Sequence, residues 1–320
     1  MKSIGKKKAL EMLEQMLLCR RFEEACLKAY QQKFITGFCH TYIGQEAVAV
    51  GTLNHLNEND SFITSYRCHA QGLVKGMSAR EVMAEMYGKI TGCARGKGGS
   101  MHVFSKELNY LGGHGIVGGQ IPVGTGAAFA SMYNETGGVN ITYFGDGASG
   151  QGTFHESLNL ASLWDIPVIY ICENNRYGMG TATTRAIANE NIHEQAAGYG
   201  MKGYEIDGQD VAGVYTQMKK IIAEVRKTSR PVLINMNTYR YKGHSVSDAG
   251  LYRTKEEVKC YMDNDCISKF NAQMQEQDWI DEEEYKALDK KIKDVIKDAV
   301  KFAEDSPWPP IEEASQHVFA

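Results

Sequence analysis

The stretch that decides the fold is VNITYFGDG, residues 139–147. Its first six residues are mostly β-branched or aromatic, and the run ends abruptly at Gly145, as a strand leaving a parallel sheet does. Apolar residues recur at roughly helical spacing between Gln151 and Trp164, and a following Asp-Ile-Pro ends that helix. Residues 168–172 form a second buried, β-branched run. We therefore predict a unit of strand, helix and strand.

This unit returns two oxygen-bearing side chains, Asp146 and Asn175, to one edge of the sheet. A helix of about 14 residues covers ~21 Å, and a strand of about 7 residues covers ~23 Å in the opposite direction. The two side chains should therefore be neighbours, and with one backbone carbonyl they offer the oxygen ligands that Mg²⁺ prefers. The small residues 147–150 let backbone N–H groups approach a phosphate near a helix N-terminus. The sequence thus predicts a metal and diphosphate site at this edge.

The composition indicates a soluble enzyme without a nucleic-acid or membrane partner. The net charge is −4 and the isoelectric point is near 6.2, which argues against a polyanionic partner. No apolar run approaches the ~18 residues of a membrane span, and the amino-terminal residues lack the pattern of a secretory or transit peptide. The 8 cysteines include no C-x-x-C pair. We expect reduced thiols and a cytoplasmic location.

We predict a single α/β domain over residues 1–320, with a central, mostly parallel sheet flanked by helices and with helical extensions at both ends. The predicted helices lie at 6–32, 43–56, 78–90, 124–131 and 211–227, with a helical region at 254–306 and further strands at 203–207 and 231–236. Ser78 and Glu81 predict a capping box at the start of the third helix. The glycine-rich tract at 92–126 predicts loops around a ligand.

Several motifs carry a resemblance to a known family. An isolated Gly-Asp-Gly is common turn chemistry, but here ENNRYGMG at 173–180 follows at the spacing of the thiamine-diphosphate motif. Further matching motifs are GFCH at 37–40, GQEA at 44–47, YR at 66–67, KGGSMH at 97–102, GIVG at 115–118 and TYRYKGHS at 238–245. Together they resemble the alpha subunits of heterotetrameric pyruvate dehydrogenase components, in the thiamine-diphosphate-dependent 2-oxo acid dehydrogenase family. The resemblance implies the thiamine-diphosphate-binding fold and its diphosphate-binding (PP-type) domain.

The resemblance also implies a role for each matching residue. The implied Mg²⁺ ligands are Asp146, Asn175 and the backbone carbonyl of Tyr177. The implied diphosphate contacts are Tyr66, Arg67, His244 and the backbone N–H groups of Gly147 and Ala148, and those to the aminopyrimidine are the backbones of Gly115 and Val117. His40 and His244 are the implied catalytic side chains near the reacting carbon, where imidazole can donate to an oxyanion or a carboxylate. His69, His102 and His114 receive no role.

One catalytic group is absent from the matching positions. Thiamine becomes nucleophilic only when a carboxylate tautomerises its aminopyrimidine, and in the resembled family that Glu belongs to the beta subunit. The resemblance therefore implies a beta partner, with two alpha and two beta chains in the assembly. It further implies decarboxylation of pyruvate and transfer of the acetyl group to lipoamide of the dihydrolipoyl acetyltransferase core.

Other functions stay open at the level of sequence. Acetoin and branched-chain 2-oxo acid dehydrogenases use the same cofactor, although GIVGGQ at 115–120 lacks the hydroxyl ligands of the branched-chain potassium site. A non-catalytic dinucleotide-binding protein is an alternative of another class. The glycine tract, however, lacks a strand, a G-x-G-x-x-G turn and a helix in succession, with an acidic residue about 20 positions further on.

Overall fold

The computed structural model describes residues 4–316 and residue 318. The α-helices are α1 (Lys6–Gln31), α2 (Glu46–Leu53), α3 (His69–Lys75), α4 (Ala79–Met86), α5 (Gln120–Tyr133), α6 (Gly152–Leu163), α7 (Thr183–Ala186), α8 (Val211–Thr228), α9 (Lys255–Asp263), α10 (Cys266–Gln275) and α11 (Glu282–Asp305). The strands are β1 (Ser61–Ser65), β2 (Tyr110–His114), β3 (Asn140–Gly145), β4 (Val168–Asn174), β5 (Tyr177–Gly178), β6 (Thr181–Ala182), β7 (Lys202–Asp207) and β8 (Val232–Asn237). Both ends of the predicted domain, residues 1 and 320, lie outside the described residues.

Within the described chain, 6 strands form one sheet in the order β2-β1-β3-β4-β8-β7. Every neighbouring pair in it is parallel. Strands β3 and β4 lie at its centre and are buried almost throughout, which explains their continuous apolar and aromatic sequence. Their register pairs Gly145 with Glu173, so both chains leave the sheet at the same edge. The predicted α/β fold with a mostly parallel sheet is confirmed.

Helices pack on both faces of this sheet, and on each face a cluster of buried apolar residues lies between the helices and the strands. On one face all residues of α2 are buried, and α8 packs so closely that a Cβ on Gly51 would lie 2.5 Å from Cγ1 of Val214. On the other face, Phe154 and Leu158 of α6 pack with Phe144 of β3. Helix α1 buries Leu13, Met16, Leu17 and Phe22, whereas Leu10 is only partly buried. The helical extensions at both ends are confirmed.

The helix starting near residue 78 differs from its prediction. Ser78 has extended backbone geometry before α4, but its side chain makes no capping hydrogen bond, so the predicted capping box is wrong. Glu81 is instead partly buried near other carboxylates, and burial raises its pKa. A capping box does form at the start of α11, between Asp281 and Glu284.

Candidate cofactor site

A cavity of about 930 Å³ opens at the carboxyl edge of β3 and β4. It is bounded by the loops after β1, β3, β4 and β8 and by the turn before α5. Its lining contains all the residues predicted for the site: His40, Tyr66, Arg67, Gly115, Val117, Asp146, Gly147, Ala148, Asn175, Tyr177 and His244. Residues from six separate stretches of sequence thus meet in one pocket.

Asp146 and Asn175 lie where adjacent strands end. The Asp146 carboxyl is 2% exposed, and burial raises its pKa to about 6, opposed by the N–H groups of Asp146 itself and of Asn175 and by the charge of Arg240. Asn175 donates from Nδ2 to Oε1 of Gln45 at 3.2 Å, which fixes the orientation of its amide oxygen. Tyr177 is the next residue but one, and its carbonyl oxygen accepts from Arg240 Nη1 at 3.2 Å.

These three groups present a carboxylate, an amide oxygen and a carbonyl oxygen, a donor set suited to a hard divalent cation. The backbone passes unusually close here: a Cβ on Gly178 would lie 3.2 Å from the Cα of Gly147. Gly147 and Ala148 belong to a 3₁₀ turn, Asp146–Gly150, placed directly before α6. The small residues after β3 therefore permit close packing against the β5 segment.

Two guanidinium groups are buried beside this oxygen cluster. Arg67 donates from Nη2 to the carbonyl of His244 at 3.0 Å and from Nη1 to the carbonyl of Thr41. Arg240 donates to the carbonyls of Tyr177 and Met179, and among the described residues neither arginine forms an ion pair with a carboxylate. Burial, reinforced by the Arg240 charge, lowers the pKa of Arg67 to about 10. The pocket thus holds two cationic groups that an anion would stabilise.

The two predicted catalytic histidines lie together with Tyr66. The ring centroids of His40 and His244 are 5.1 Å apart, and Tyr66 lies 4.6 Å from His40 and 5.5 Å from His244. Burial, followed by the Arg67 charge, lowers the pKa of His40 to about 3 and that of His244 to about 4. Both imidazoles are therefore neutral near pH 7. In the described part of the chain, Nδ1 of each is buried without a hydrogen-bond partner.

The loop that carries His244 is held by Asp248. The Asp248 carboxylate accepts from the N–H of His244 at 2.6 Å, from the N–H of Gly250 at 2.8 Å and from the hydroxyl of Tyr252 at 2.8 Å. Tyr252 in turn accepts from Arg240 Nη2 at 2.7 Å. Arg240 therefore joins this loop to the segment that contains Tyr177.

Sequence reasoning assigned no role to Arg240, Asp248 or Glu173, all of which line the cavity. Glu173 accepts from the Tyr42 hydroxyl and from Nε2 of Gln71 at 3.1 Å, and burial raises its pKa to about 7. Glu173 and Arg240 stand inside the quoted motifs and Asp248 lies three residues after the last of them. The partners of Glu173 and the carbonyl oxygens bound by Arg240 at Tyr177 and Met179 are distant in sequence. The unassigned His69, His102 and His114 do not line the cavity.

The fold and the pocket define a class: α/β proteins with an oxygen-rich site and buried guanidinium groups at the carboxyl ends of parallel strands. The family described as "Dehydrogenase E1 component" matches residues 14–312. The chain therefore belongs to the dehydrogenase E1 component family, whose members depend on thiamine diphosphate. This confirms the family resemblance drawn from the motifs.

Relatives from bacteria and plants cover almost the whole chain. It is 47% identical over 310 residues to the pyruvate dehydrogenase E1 component subunit alpha of Rhizobium meliloti, covering 97% of this chain and 89% of the relative. The protein of the same name from Rickettsia bellii is 42% identical over 314 residues, covering 98% of this chain and 96% of the relative. The chloroplastic subunit alpha-3 from Oryza sativa is 40% identical, covering 99% and 77%.

No helix among residues 4–316 is both long enough and apolar enough to cross a membrane.

Proposed function

We propose that this chain is the alpha subunit of a pyruvate dehydrogenase E1 component. In this role it takes part in the thiamine-diphosphate-dependent oxidative decarboxylation of pyruvate and in transfer of the acetyl group to lipoamide of a dihydrolipoyl acetyltransferase. The observation that carries the proposal is the meeting of Asp146, Asn175 and the Tyr177 carbonyl with the guanidinium groups of Arg67 and Arg240 in one pocket. Oxygen ligands beside buried cations suit a diphosphate bound together with Mg²⁺.

In this proposal the chain's own residues bind and orient the cofactor. Asp146, Asn175 and the Tyr177 carbonyl would hold Mg²⁺. Tyr66, Arg67 and His244 would contact the diphosphate together with the N–H groups of Gly147 and Ala148, and the backbones of Gly115 and Val117 would contact the aminopyrimidine. When held by these residues, thiamine diphosphate would supply a nucleophilic carbon and an electron sink for decarboxylation.

His40 and His244 would act on the substrate as neutral hydrogen-bond donors. Burial and the Arg67 charge keep both imidazoles neutral near pH 7, so each has one N–H to donate. A donor in this position can stabilise the oxygen of the 2-oxo group as charge develops on it. The two rings lie 5.1 Å apart, close enough to face the same substrate.

A beta subunit would supply the activating Glu. The carboxylates that line the pocket are those of Asp146, Glu173 and Asp248. The first is assigned to the metal, the second is engaged by Tyr42 and Gln71, and the third holds the His244 loop. Within the described lining no carboxylate is left for the aminopyrimidine. This supports a beta partner, and we propose an assembly of two alpha and two beta chains that also docks on the acetyltransferase core.

We also propose a single diphosphate-binding domain over residues 1–320, and a cytoplasmic location without a nucleic-acid partner. The location is supported by the cysteines, all of which are free thiols. Cell fractionation with antibody detection would test it, and a membrane or exported fraction would contradict it.

The function is tested by producing the chain together with a beta chain. The purified assembly is assayed with pyruvate, acetoin and 2-oxoisovalerate, with an artificial electron acceptor and with or without thiamine diphosphate and Mg²⁺. We expect co-purification and cofactor-dependent turnover, fastest with pyruvate. Faster turnover of acetoin or 2-oxoisovalerate would contradict the substrate, and full pyruvate turnover by the isolated chain would contradict the need for a partner.

The metal site has its own test. Asp146→Asn keeps the shape of the side chain but removes its charge, so we expect Mg²⁺-dependent binding of thiamine diphosphate to be lost in calorimetry. Asp165→Asn is the matched control, because Asp165 is exposed and pairs with Arg230 far from the pocket. Unchanged cofactor binding by Asp146→Asn would rule out the proposed metal ligand. Binding of NAD in place of thiamine diphosphate would instead support a dinucleotide-binding protein.

A further inference from the structure

A buried carboxylate outside the pocket organises the first part of the glycine-rich tract. Glu85 on α4 is fully buried, and its two oxygens accept four backbone hydrogen bonds. Oε2 accepts from Ala94 at 2.8 Å and Gly96 at 2.9 Å, and Oε1 accepts from Gly98 at 2.8 Å and Gly99 at 3.0 Å. No ion pair involves Glu85 among the described residues, so backbone dipoles alone stabilise its charge.

Glycines are required in this segment because its backbone passes very close to Glu85 and to Gly88. A Cβ on Gly92 would lie 2.4 Å from Oε2 of Glu85, and a Cβ on Gly96 would lie 2.5 Å from the carbonyl oxygen of Gly88. Gly96 also has a φ of +79°, in the left-handed region. In the later part of the tract predicted to form loops around a ligand, Gly115 and Val117 line the cavity, but β2 and the start of α5 also lie there. Residues 94–99 surround a side chain of the protein.

This loop leads directly to Ser100, which contacts the backbone of His40. Ser100 is 5% exposed, and its Oγ accepts from the backbone N–H of His40 at 3.1 Å. The same Oγ lies 2.9 Å from Nε2 of His69, whose Nδ1 lies 3.0 Å from a carboxylate oxygen of Glu23. The next residue, Met101, lines the cavity. A continuous chain of contacts thus runs from Glu85 through the loop to His40.

We propose that Glu85 is a positioning residue for the reaction: by folding residues 94–99 around its carboxylate it fixes Ser100, which holds His40 in the pocket. The inference rests on the proposed function, because it requires His40 to contribute to pyruvate turnover. Glu85 itself does not line the cavity and acts only through the loop. The same carboxylate that closes the loop therefore sets the position of a side chain at the reacting carbon.

The kinetic test is a double-mutant cycle in the assembly of alpha and beta chains. In Glu85→Gln the amide NH₂ faces N–H donors, so half of the hydrogen bonds are lost. We expect kcat to fall about 10-fold, because small displacements of a catalytic group are costly, while KM for thiamine diphosphate changes less than about threefold. In a His40→Gln background the same change should lower kcat less than about twofold, because coupled effects do not add.

Two further measurements separate positioning from a general loss of structure. Amide hydrogen exchange of residues 94–99 in the cofactor-free assembly should become at least about tenfold faster in Glu85→Gln. It should stay unchanged in Glu81→Gln, a control on the same helix that accepts none of these hydrogen bonds. If Glu85→Gln does not fold, Ser100→Ala tests the same path, and its effect on kcat should again disappear in the His40→Gln background.

Equal losses of kcat in both backgrounds, or unaltered exchange of the loop, would overturn the proposal. An unaltered kcat for His40→Gln would overturn it as well, because there would be no function for Glu85 to support. If the unaltered assembly failed to turn over pyruvate, the proposed function would be contradicted instead. The exchange measurement would still decide whether Glu85 holds the loop.

Discussion

At the scale of single residues, the pocket holds two buried arginines whose hydrogen bonds go only to carbonyl and hydroxyl oxygens. Arg67 is 4% exposed and Arg240 is 2% exposed, and their hydrogen bonds go to backbone carbonyls and to Tyr252. Burying a charge without a counter-charge is costly. A bound diphosphate would offset part of that cost, so cofactor affinity should depend on both arginines.

We expect Arg67→Gln to weaken binding of thiamine diphosphate by roughly 30- to 150-fold. Loss of charge-assisted hydrogen bonds costs about 2–3 kcal/mol, which corresponds to that change in affinity. Isothermal titration calorimetry of the assembly at fixed Mg²⁺ concentration measures the effect. Arg230→Gln is the control, because Arg230 is exposed and pairs with Asp165. A loss of less than about threefold would exclude Arg67 as a diphosphate ligand.

We expect His40 to make the protein less stable in mild acid. Its pKa is lowered from 6.5 to about 3, so between these values the unfolded chain binds a proton that the folded chain does not. The free energy of unfolding should therefore fall as the pH drops below 6.5, by up to about 1.4 kcal/mol per pH unit for this group. His40→Gln should reduce that slope, as measured by urea unfolding between pH 4.5 and 6.5.

His155→Gln serves as the control for this slope, because His155 is exposed on α6, outside the pocket. A steeper dependence on pH in His40→Gln would contradict the direction of the shift. Because the pKa of His244 is also lowered, to about 4, part of the pH dependence of the free energy of unfolding should remain in His40→Gln.

All the residues that the sequence predicted for the site lie in the pocket, because most of their motifs lie at strand ends that a parallel sheet brings together. It could not reveal the burial of Arg240 or the four donors to Glu85, since these depend on loops distant in sequence. Glu85 stands in an ordinary amphipathic helix, where a Glu is usually exposed. Its burial follows only from the folded path of residues 94–99.

At the scale of elements, one buried arginine joins three helices. Arg20 of α1 donates to both oxygens of Glu46 on α2, at 2.6 and 3.0 Å, and to Asp265 at the start of α10, at 2.7 Å. The Glu46 side chain is fully buried, and it also accepts from the N–H of Gly44 at 3.0 Å. Gly44 precedes Gln45, which lines the pocket, so this network supports the site as well as the helix packing.

We expect Arg20→Met to destabilise the protein by about 3–5 kcal/mol, because Glu46 would stay buried without its partner. Denaturant unfolding followed by circular dichroism measures the change. Arg80→Met is the matched control: Arg80 and Asp298 form a similar two-pronged pair, but both side chains are more than half exposed. An exposed pair contributes at most about 1 kcal/mol. Equal effects of the two substitutions would contradict this account.

The helices and strands also differ in how well they could be predicted from the sequence. Strands β3 and β4 and helices α1, α6 and α8 were predicted within a few residues, because buried runs and helical periodicity are strong local signals. Strands β1 and β2 and helix α3 were not predicted. Strand β2 reads YLGGH, a poor strand by composition, and it forms only because pairing with β1 at the sheet edge overrides that tendency.

At the scale of the whole molecule, the pocket has an apolar opening. Phe38, Val117 and Met179 line the cavity yet remain 65%, 47% and 65% exposed, and Ile116 beside them is 77% exposed. Large exposed apolar side chains around a binding pocket are typical of a surface that another chain covers. In the proposed function, the beta subunit that supplies the activating Glu would also cover this opening.

Cofactor binding should therefore stabilise the assembly more than the isolated chain. A ligand at 100 times its dissociation constant adds about 2.7 kcal/mol to the free energy of unfolding, and in the proposed assembly the beta subunit would enclose the cofactor from its second side. We expect thiamine diphosphate with Mg²⁺ to raise the melting temperature of the assembly in differential scanning calorimetry, and EDTA to reverse the shift. Asp146→Asn should abolish it. An equal shift for the isolated chain would contradict a site completed by the partner.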